Sequence, residues 1–493
     1  MRRSLRIATA VLLAGLLLAI LPADRAQAAS TKERFEKSVN DILKKYSRRN
    51  TEWGIAIRRA SSGSSLYEKK SLRLLIPASN RKVFTSVLAL EKMGPLYRYR
   101  TSLYFDGPVN ERGHLHGNIR IVGTGDPTFA NPRFHNGSMN GTLKAWANKV
   151  REEGVRYIHG DVALDCSAFV PSYTSVKGLP SDHTVSYAAR PSCLAINENC
   201  VALRIKPGSA TGRPAVITQY PSSAGIRIVN KTTTGRSRSV NTLNLERAFD
   251  TDTITVSGRV PLKARSESRL VTLRSPPKMM GRIFKSYLKE AGVHVDGEVK
   301  VFYHYSAKGS RQVTFSDSPP LAEILKAVNR ESNNVIAEQI YQSVSYRITG
   351  KGSYTRTRAI EREFLDKIGV RIKDVLTEDG SGLSRDNRCT ADSLVRLLMY
   401  ERGRPHFKTF RDSLALSGKR GTLRNRMGTK RLIGRVYAKT GSLNGVACLS
   451  GYYVTPQGTY YVFSILANNT TSASTINVQG KILDQLARHY GGT

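Results

Sequence analysis

The chain has 493 residues, 40% hydrophobic and 23% charged, a globular composition with length for two to four domains at roughly 100–200 residues each. That excludes a collagen-like, disordered or multi-span membrane chain. The formal net charge is +39, with Lys and Arg spread along the sequence and not gathered in a tail. No zinc-finger spacing and no RNA-recognition signature accompanies the charge, so no nucleic-acid partner is expected and another polyanion is.

Residues 1–28 carry the layout of a signal peptide. Arg2, Arg3 and Arg6 form a basic head, Ile7 to Leu21 is uncharged, and Ala26-Gln27-Ala28 is a small-x-small cleavage site. The apolar run falls short of the roughly 20 residues a spanning helix needs, and Pro22, Asp24 and Arg25 close it. The expectation is an exported protein of the periplasm or cell envelope, soluble or peripheral after cleavage. The available polyanions there are anionic lipids and envelope polymers, so peripheral association with these is expected. Five cysteines do not make a disulfide framework in so long a chain. Cys193 and Cys200 are close enough in sequence to pair. Without CxxC or HExxH, no metal site and no cofactor are expected.

The periodicity predicts an amphipathic helix over Lys32 to Tyr46, a strand over Trp53 to Arg58 and its hairpin partner over Ser65 to Lys69. Pro77-Ala78-Ser79 opens a buried helix that runs to Met93, where Gly94-Pro95 ends it. From about Thr101 to Pro277 the chain turns to short alternating strands broken by Gly, Pro, Asn and Ser. Examples are Asn118 to Val122, Ala215 to Gln219, Ile226 to Asn230 and Thr253 to Val256. Helical pattern returns over Phe284 to Ala291 and Leu321 to Val328. Strands follow over Arg435 to Thr440, Val446 to Val454 and Tyr460 to Asn468, then a last helix with Ile476, Ile482, Leu483 and Leu486. The fold class is α+β, with one domain interrupted by an insertion.

Three short motifs carry chemistry. Ser79-Asn80-Arg81-Lys82 is a Ser-x-x-Lys at a helix start, where three residues put hydroxyl and amine on one face. A lysine kept neutral by burial can activate a serine; the bland reading is a helix cap and a solvated lysine. Ser332-Asn333-Asn334 offers a hydroxyl for proton relay and an amide for a substrate backbone, or else a helix N-cap. Lys439-Thr440-Gly441, at the end of a strand, offers a cation, a hydroxyl and a residue that lets backbone approach closely, or else a turn. The order Ser-x-x-Lys, Ser-x-Asn, Lys-Thr-Gly is the trio of penicillin-binding proteins and class A β-lactamases.

With PASNRKVFT around Ser79, GTGDPTF at Gly123, NENC before Val201, NRESNNVIAEQIY around Ser332, EDGSGLSR at Glu378, GTLRNRM at Gly421 and AKTGSLNGVACLSGYY around Lys439, the chain resembles a family. It is the D-Ala-D-Ala carboxypeptidase/endopeptidase type of low-molecular-mass penicillin-binding protein (class C, peptidase family S13). The resemblance implies a transpeptidase-like domain, an antiparallel sheet flanked by helices, over 29–100 and 279–493. Inserted mostly-β domains fill 101–278, as two modules of about 101–165 with 259–278 and about 166–258. It implies Ser79 as nucleophile, Lys82 as base, Ser332 as proton relay and Asn334 on the substrate amide. Lys439, Thr440 and Ser442 would bind the terminal carboxylate, and the backbone N–H groups of Ser79 and Ser442 would form the oxyanion hole. Arg385 would meet the side-chain carboxylate of the stem peptide. The implied function is a serine D-alanyl-D-alanine carboxypeptidase acting on peptidoglycan stem peptides, with endopeptidase activity left open, and acylated by β-lactams. The alternatives are a β-lactamase or a non-catalytic wall-binding or β-lactam-sensing module with the same cleft. Two departures stand out: Ser442 replaces the common Thr, and Cys166 replaces one of a pair of acids beside Asp165.

Overall fold

The computed structural model describes residues 30–135, 141–171, 184–248, 251–307 and 309–492. The segment read as a signal peptide lies outside the described residues. The chain divides into two compact units, Met1–Pro77 with Arg388–Gly403 and Ala415–Thr493, and Ala78–Asn387 with Arg404–Leu414.

The first unit is built on a six-stranded antiparallel sheet in the order Ala415–Leu416, Val436–Leu443, Val446–Val454, Tyr460–Asn468, Glu52–Arg59, Ser65–Lys69. Alternation in Glu52–Arg59 sends Trp53, Ile55 and Ile57 to one face. There they meet Phe35, Val39 and Leu43 of the helix at 30–46, and Val478, Ile482, Leu483 and Leu486 of the helix Ser472–Tyr490. Each such side chain, once buried, contributes about 1.5–3 kcal/mol. Ile476, read from the sequence as part of that apolar face, is instead 38% exposed, and Val478 takes its place. Gly54 and Ala56 alternate to the other face, where the helix Ala391–Arg402 packs and Ala391 comes close to Gly54. Covered on both faces, the strands Val446–Val454 and Tyr460–Asn468 are buried almost throughout.

The strand that carries the Lys-Thr-Gly motif runs three residues further than the sequence predicts. Leu443 pairs with Val446 across Asn444-Gly445, and Gly445 has φ 77°. A two-residue Asn-Gly loop of this kind holds the strands paired up to the turn.

The second unit holds the β-rich region. Its largest sheet has five strands in the order Val299–Phe302, Val162–Asp165, Asn118–Val122, Arg100–Asp106, Ser310–Asp317. The helices Gly141–Glu152 and Pro276–Glu290 pack on it and on each other. Two smaller sheets, built on Arg227–Gly235 with Thr253–Pro261 and on Cys200–Lys206 with Glu267–Thr272, share its core. The sheet takes in two strands beyond residue 278, where the change of texture had placed the end of the insertion. The helix Pro276–Glu290 reads as a return to helical structure but belongs to this sheet's cover. In the same unit, helix α1 (Arg81–Met93) is buried on almost every face. It packs against Leu321–Arg330 and against helix α2 (Asn334–Thr349), which in turn packs on helix α3 (Tyr354–Lys367). The five cysteines are buried free thiols, so Cys193 and Cys200 are not paired with each other.

Candidate active site

Ser79 lies in a single 3-10 turn, Ala78–Asn80, that leads into α1. Ala78 is held at φ 46°, a left-handed conformation that costs an L-residue about 1–2 kcal/mol. One turn on, Lys82 is wholly buried, and its Nζ lies 2.9 Å from Ser79 Oγ. Asn334 Oδ1 at 2.6 Å and the Ser381 carbonyl at 2.7 Å complete its surroundings. Among the described residues no carboxylate pairs with Nζ. Burial therefore pulls the amine from its ordinary 10.5 down to about 7, against the opposing pull of Asp379 and Glu338. Near neutral pH a substantial fraction is unprotonated, with a lone pair that can accept the Ser79 proton.

Asn334 is the first residue of α2, and the helix cap falls to its neighbour. Asn333 Oδ1 accepts from the Ile336 N–H at 3.0 Å, which leaves Asn334 to face Lys82. Its amide nitrogen donates to the Tyr187 carbonyl at 2.9 Å. Ser332 sits in the turn before α2 at φ 63°, a left-handed position of the kind that gathers at functional sites.

A loop of residues 378–385 closes this side. Asp379 is buried and accepts from the N–H groups of Gly382 and Ser384, both at 2.6 Å. Gly382, at φ 84°, approaches so closely that a Cβ there would lie 1.9 Å from the Ala78 carbonyl oxygen. Only glycine lets the loop close on the turn that holds Ser79. Arg385 is exposed at the end of this loop.

Lys439, Thr440 and Ser442 lie on the strand Val436–Leu443 of the first unit. Lys439 is buried and donates to the Thr440 carbonyl at 2.8 Å, Thr440 Oγ1 donates to Thr422 Oγ1 at 2.8 Å, and Ser442 is exposed. On one side of this strand Ala415 pairs with Ala438 and Leu416 with Tyr437. The structure thus brings Ser79, Lys82 and Asn334 into direct contact. It sets Ser332 two residues before Asn334, and Arg385 on the loop whose Ser381 touches Lys82. Asp126, read as structural, accepts from both the N–H and the hydroxyl of Thr128 at 2.7 Å, an Asx turn. Asp165 pairs with Arg120 at 3.1 Å.

Sequence reasoning missed Ser381, Asp379 and Glu338 as groups around Lys82. A backbone carbonyl leaves no trace in residue type. Glu338, though, is a lone acid in the apolar run Val335-Ile336-Ala337-Glu338, four residues after Asn334 and therefore on its face of the helix.

An α+β fold with a serine hydroxyl 2.9 Å from a buried lysine amine is the arrangement expected of an active-site-serine hydrolase of the penicillin-binding type. The sequence model of the D-Ala-D-Ala carboxypeptidase 3 (S13) family matches residues 35–490, and the chain belongs to that family. It is 30% identical, over 99% of its own length and 91% of the relative's, to a D-alanyl-D-alanine carboxypeptidase of Actinomadura sp. strain R39. The fold is that of penicillin binding protein 4 from Haemophilus influenzae, with a TM-score of 0.81 at 22% identity, covering 91% of this chain and 99% of that one. The same Haemophilus protein complexed with a β-lactam superposes with a TM-score of 0.75 at 22% identity, over 91% of this chain and 99% of that one.

Proposed function

We propose that the chain is a serine-type D-alanyl-D-alanine carboxypeptidase acting through an acyl-enzyme on Ser79. The observation that carries this reading is the buried Lys82 amine, 2.9 Å from Ser79 Oγ and held near 7. The neutral amine takes the Ser79 proton as Oγ attacks the carbonyl carbon between the two D-alanines. The C–N bond then breaks, and the terminal D-alanine leaves with a proton passed through Ser332. Water hydrolyses the ester and frees Ser79. Asn334 holds the substrate amide. Lys439, Thr440 and Ser442 bind the terminal carboxylate, and Arg385 takes the side-chain carboxylate of a peptidoglycan stem peptide. A cross-link between stem peptides presents the same D-alanyl carbonyl, so endopeptidase cleavage uses the same steps. The strained amide of a β-lactam offers Ser79 an equivalent carbonyl, and the β-lactam complex of the Haemophilus protein supports that reading.

The test is labelling of the purified protein by a fluorescent penicillin beside Ser79→Ala, with mass spectrometry of the labelled peptide and assay of released D-alanine. A stable adduct on Ser79 with D-alanine release is expected; absence of both from folded protein rejects the reading.

The three-part layout of residues 1–28 supports export to the cell envelope, and the charge of +39 supports association with its anionic polymers. Lys278, Arg282, Lys285 and Lys289 concentrate that charge along one side of the helix Pro276–Glu290, in a groove of about 640 Å³. Among the described residues no helix is long and apolar enough to cross a membrane. Salt-reversible retention on anionic vesicles checks the association.

A further inference from the structure

Two buried carboxylates, Glu338 and Asp379, lie behind the Ser79–Lys82 pair, and the chemistry above uses neither. They reach α1 through the backbone between them. Because a trans peptide is planar, its N–H and C=O point in opposite directions, and three consecutive peptide units of the 378–385 loop are gripped at both ends. The first, between Asp379 and Gly380, gives its N–H to Glu338 Oε2 at 3.0 Å and takes Arg81 Nε on its carbonyl at 2.9 Å. The second, between Gly380 and Ser381, gives its N–H to Glu338 Oε1 at 2.7 Å and takes the Thr85 hydroxyl at 2.6 Å. The third, between Ser381 and Gly382, gives its N–H to Asp379 Oδ1 at 2.6 Å and takes Lys82 Nζ at 2.7 Å. Arg81, Lys82 and Thr85 all belong to α1.

We propose that Glu338 and Asp379 are positioning residues for the Lys82 base: Asp379 polarises the peptide carbonyl that holds its amine on Ser79, and Glu338 aims it by fixing the two peptides before it. The proposal rests on the reading of Lys82 as the base. A carboxylate on a peptide N–H makes the opposite carbonyl a stronger acceptor, and a low-dielectric interior enlarges the effect. The third peptide therefore fixes Nζ against Ser79 while its carbonyl carries no formal charge. A carboxylate in the same place would form an ion pair and hold the lysine protonated, useless as a base.

The groups facing Glu338 are few. Tyr354 of α3 donates to it at 2.8 Å, Asp379 faces it from the loop, and Lys82 faces it from α1. The Arg81–Glu361 ion pair, with Tyr341 on Glu361, lies beyond. Burial, reinforced by Asp379, pushes the Glu338 carboxyl up to about 7. Its negative charge in turn raises Lys82, in opposition to burial. Removing that charge lowers the Lys82 pKa further.

The test compares the rate and pH profile of penicillin labelling in the full chain for wild type, Glu338→Gln, Asp379→Asn and Thr85→Val. Glutamine keeps the shape of Glu338 but cannot accept from both loop N–H groups and Tyr354 at once. It is expected to slow labelling about tenfold or more and to make the acid limb of the profile shallower, since Glu338 no longer titrates beside Lys82. Asp379→Asn acts in the same direction. Thr85→Val removes one grip without changing charge, so it is expected to slow labelling several-fold and leave the acid limb in place; it also serves if the carboxylate variants do not fold. Wild-type rate and profile in the folded variants overturn the proposal while leaving Ser79 and Lys82 in their roles. Wild-type protein that labels no better than Ser79→Ala sinks the underlying reading instead.

Discussion

Arg81 and Lys82 are consecutive residues of one helix, both cations and both wholly buried, yet their surroundings make them opposites. Arg81 meets Glu361 at 2.7 Å with both side chains inaccessible, and also donates to the Asp379 carbonyl. Burial alone would depress its guanidinium, but Glu361, Tyr341 and Asp379 more than reverse the effect, so its pKa is raised. Lys82 is given a hydroxyl, an amide oxygen and a carbonyl, all dipoles and none a full charge. Burial there outweighs the opposing pull of Asp379 and Glu338, and the amine is brought down to about 7. A buried cation with a carboxylate is a fixed structural charge; one with dipoles only is free to act as a base. Helix periodicity separates them, since neighbouring residues point about 100° apart.

The most direct way to break this comparison is to make Lys82 behave like Arg81. Lys82→Arg keeps the positive charge but cannot lose its proton near neutral pH. Penicillin labelling and D-alanine release are expected to fall at least about 10³-fold, the usual loss when a member of a nucleophile–base pair is disabled. A Lys82→Arg protein that acylates within tenfold of wild type would falsify the role of a neutral amine.

The second test acts on Arg81. Glu361→Gln leaves the guanidinium buried beside a neutral amide, and breaking such a pair costs about 3–5 kcal/mol. Denaturant unfolding should show that loss, while labelling of the remaining folded protein stays within about threefold of wild type. Equal damage to labelling would mean that the two cations are not separable.

How much of this was legible in the sequence follows from the same contrast. Ser79, Lys82 and Asn334 were found because their side chains do the contacting and their spacing sets the contact. The antiparallel strands of the first unit were found because apolar runs and turn residues mark them, and Val446–Val454 and Tyr460–Asn468 have the limits their composition suggests. The carbonyl of Ser381 was invisible, since every residue has one and only the closure of the loop on Ala78, permitted by Gly382, directs it. That Arg81 is a structural charge was equally hidden, because Glu361 is far away in sequence and shares no motif with it. The strands Val299–Phe302 and Ser310–Asp317 were missed as members of the five-stranded sheet because pairing with distant strands leaves no local signal.

A smaller effect comes from pH. Lys82 has its pKa lowered from 10.5 to about 7 in the folded protein. Between these values the folded chain has released a proton that the unfolded chain still holds. Stability linked to Lys82 therefore rises with pH across that window, and its burial costs most below about 7. The labelling rate should rise with pH through about 7, falling close to tenfold for each unit below it, and then level off. A rate that is flat from pH 5 to 8 would contradict a base titrating there.

The smallest effect is the sharpest check that the two neighbours are independent. The Tyr341 hydroxyl donates to Glu361 Oε2 at 2.9 Å, and its aromatic ring lies 5.1 Å from the Arg81 guanidinium carbon. Burial first, and then the Glu361 charge, raises the phenol well above its ordinary pKa, so it is a donor at neutral pH. Tyr341→Phe removes that hydrogen bond alone, because the ring stays over Arg81 and Arg81 still neutralises Glu361. A hydrogen bond to a charged group contributes about 1.5–3 kcal/mol, less here because the ion pair survives, so about 1 kcal/mol of stability should go, a few degrees in Tm. Labelling should be unchanged, since nothing in contact with Lys82 has moved. Slower labelling by Tyr341→Phe would show that Arg81, through its grip on the Asp379 carbonyl, helps to aim the loop at Lys82. In that case the fixed charge and the base would be parts of one device.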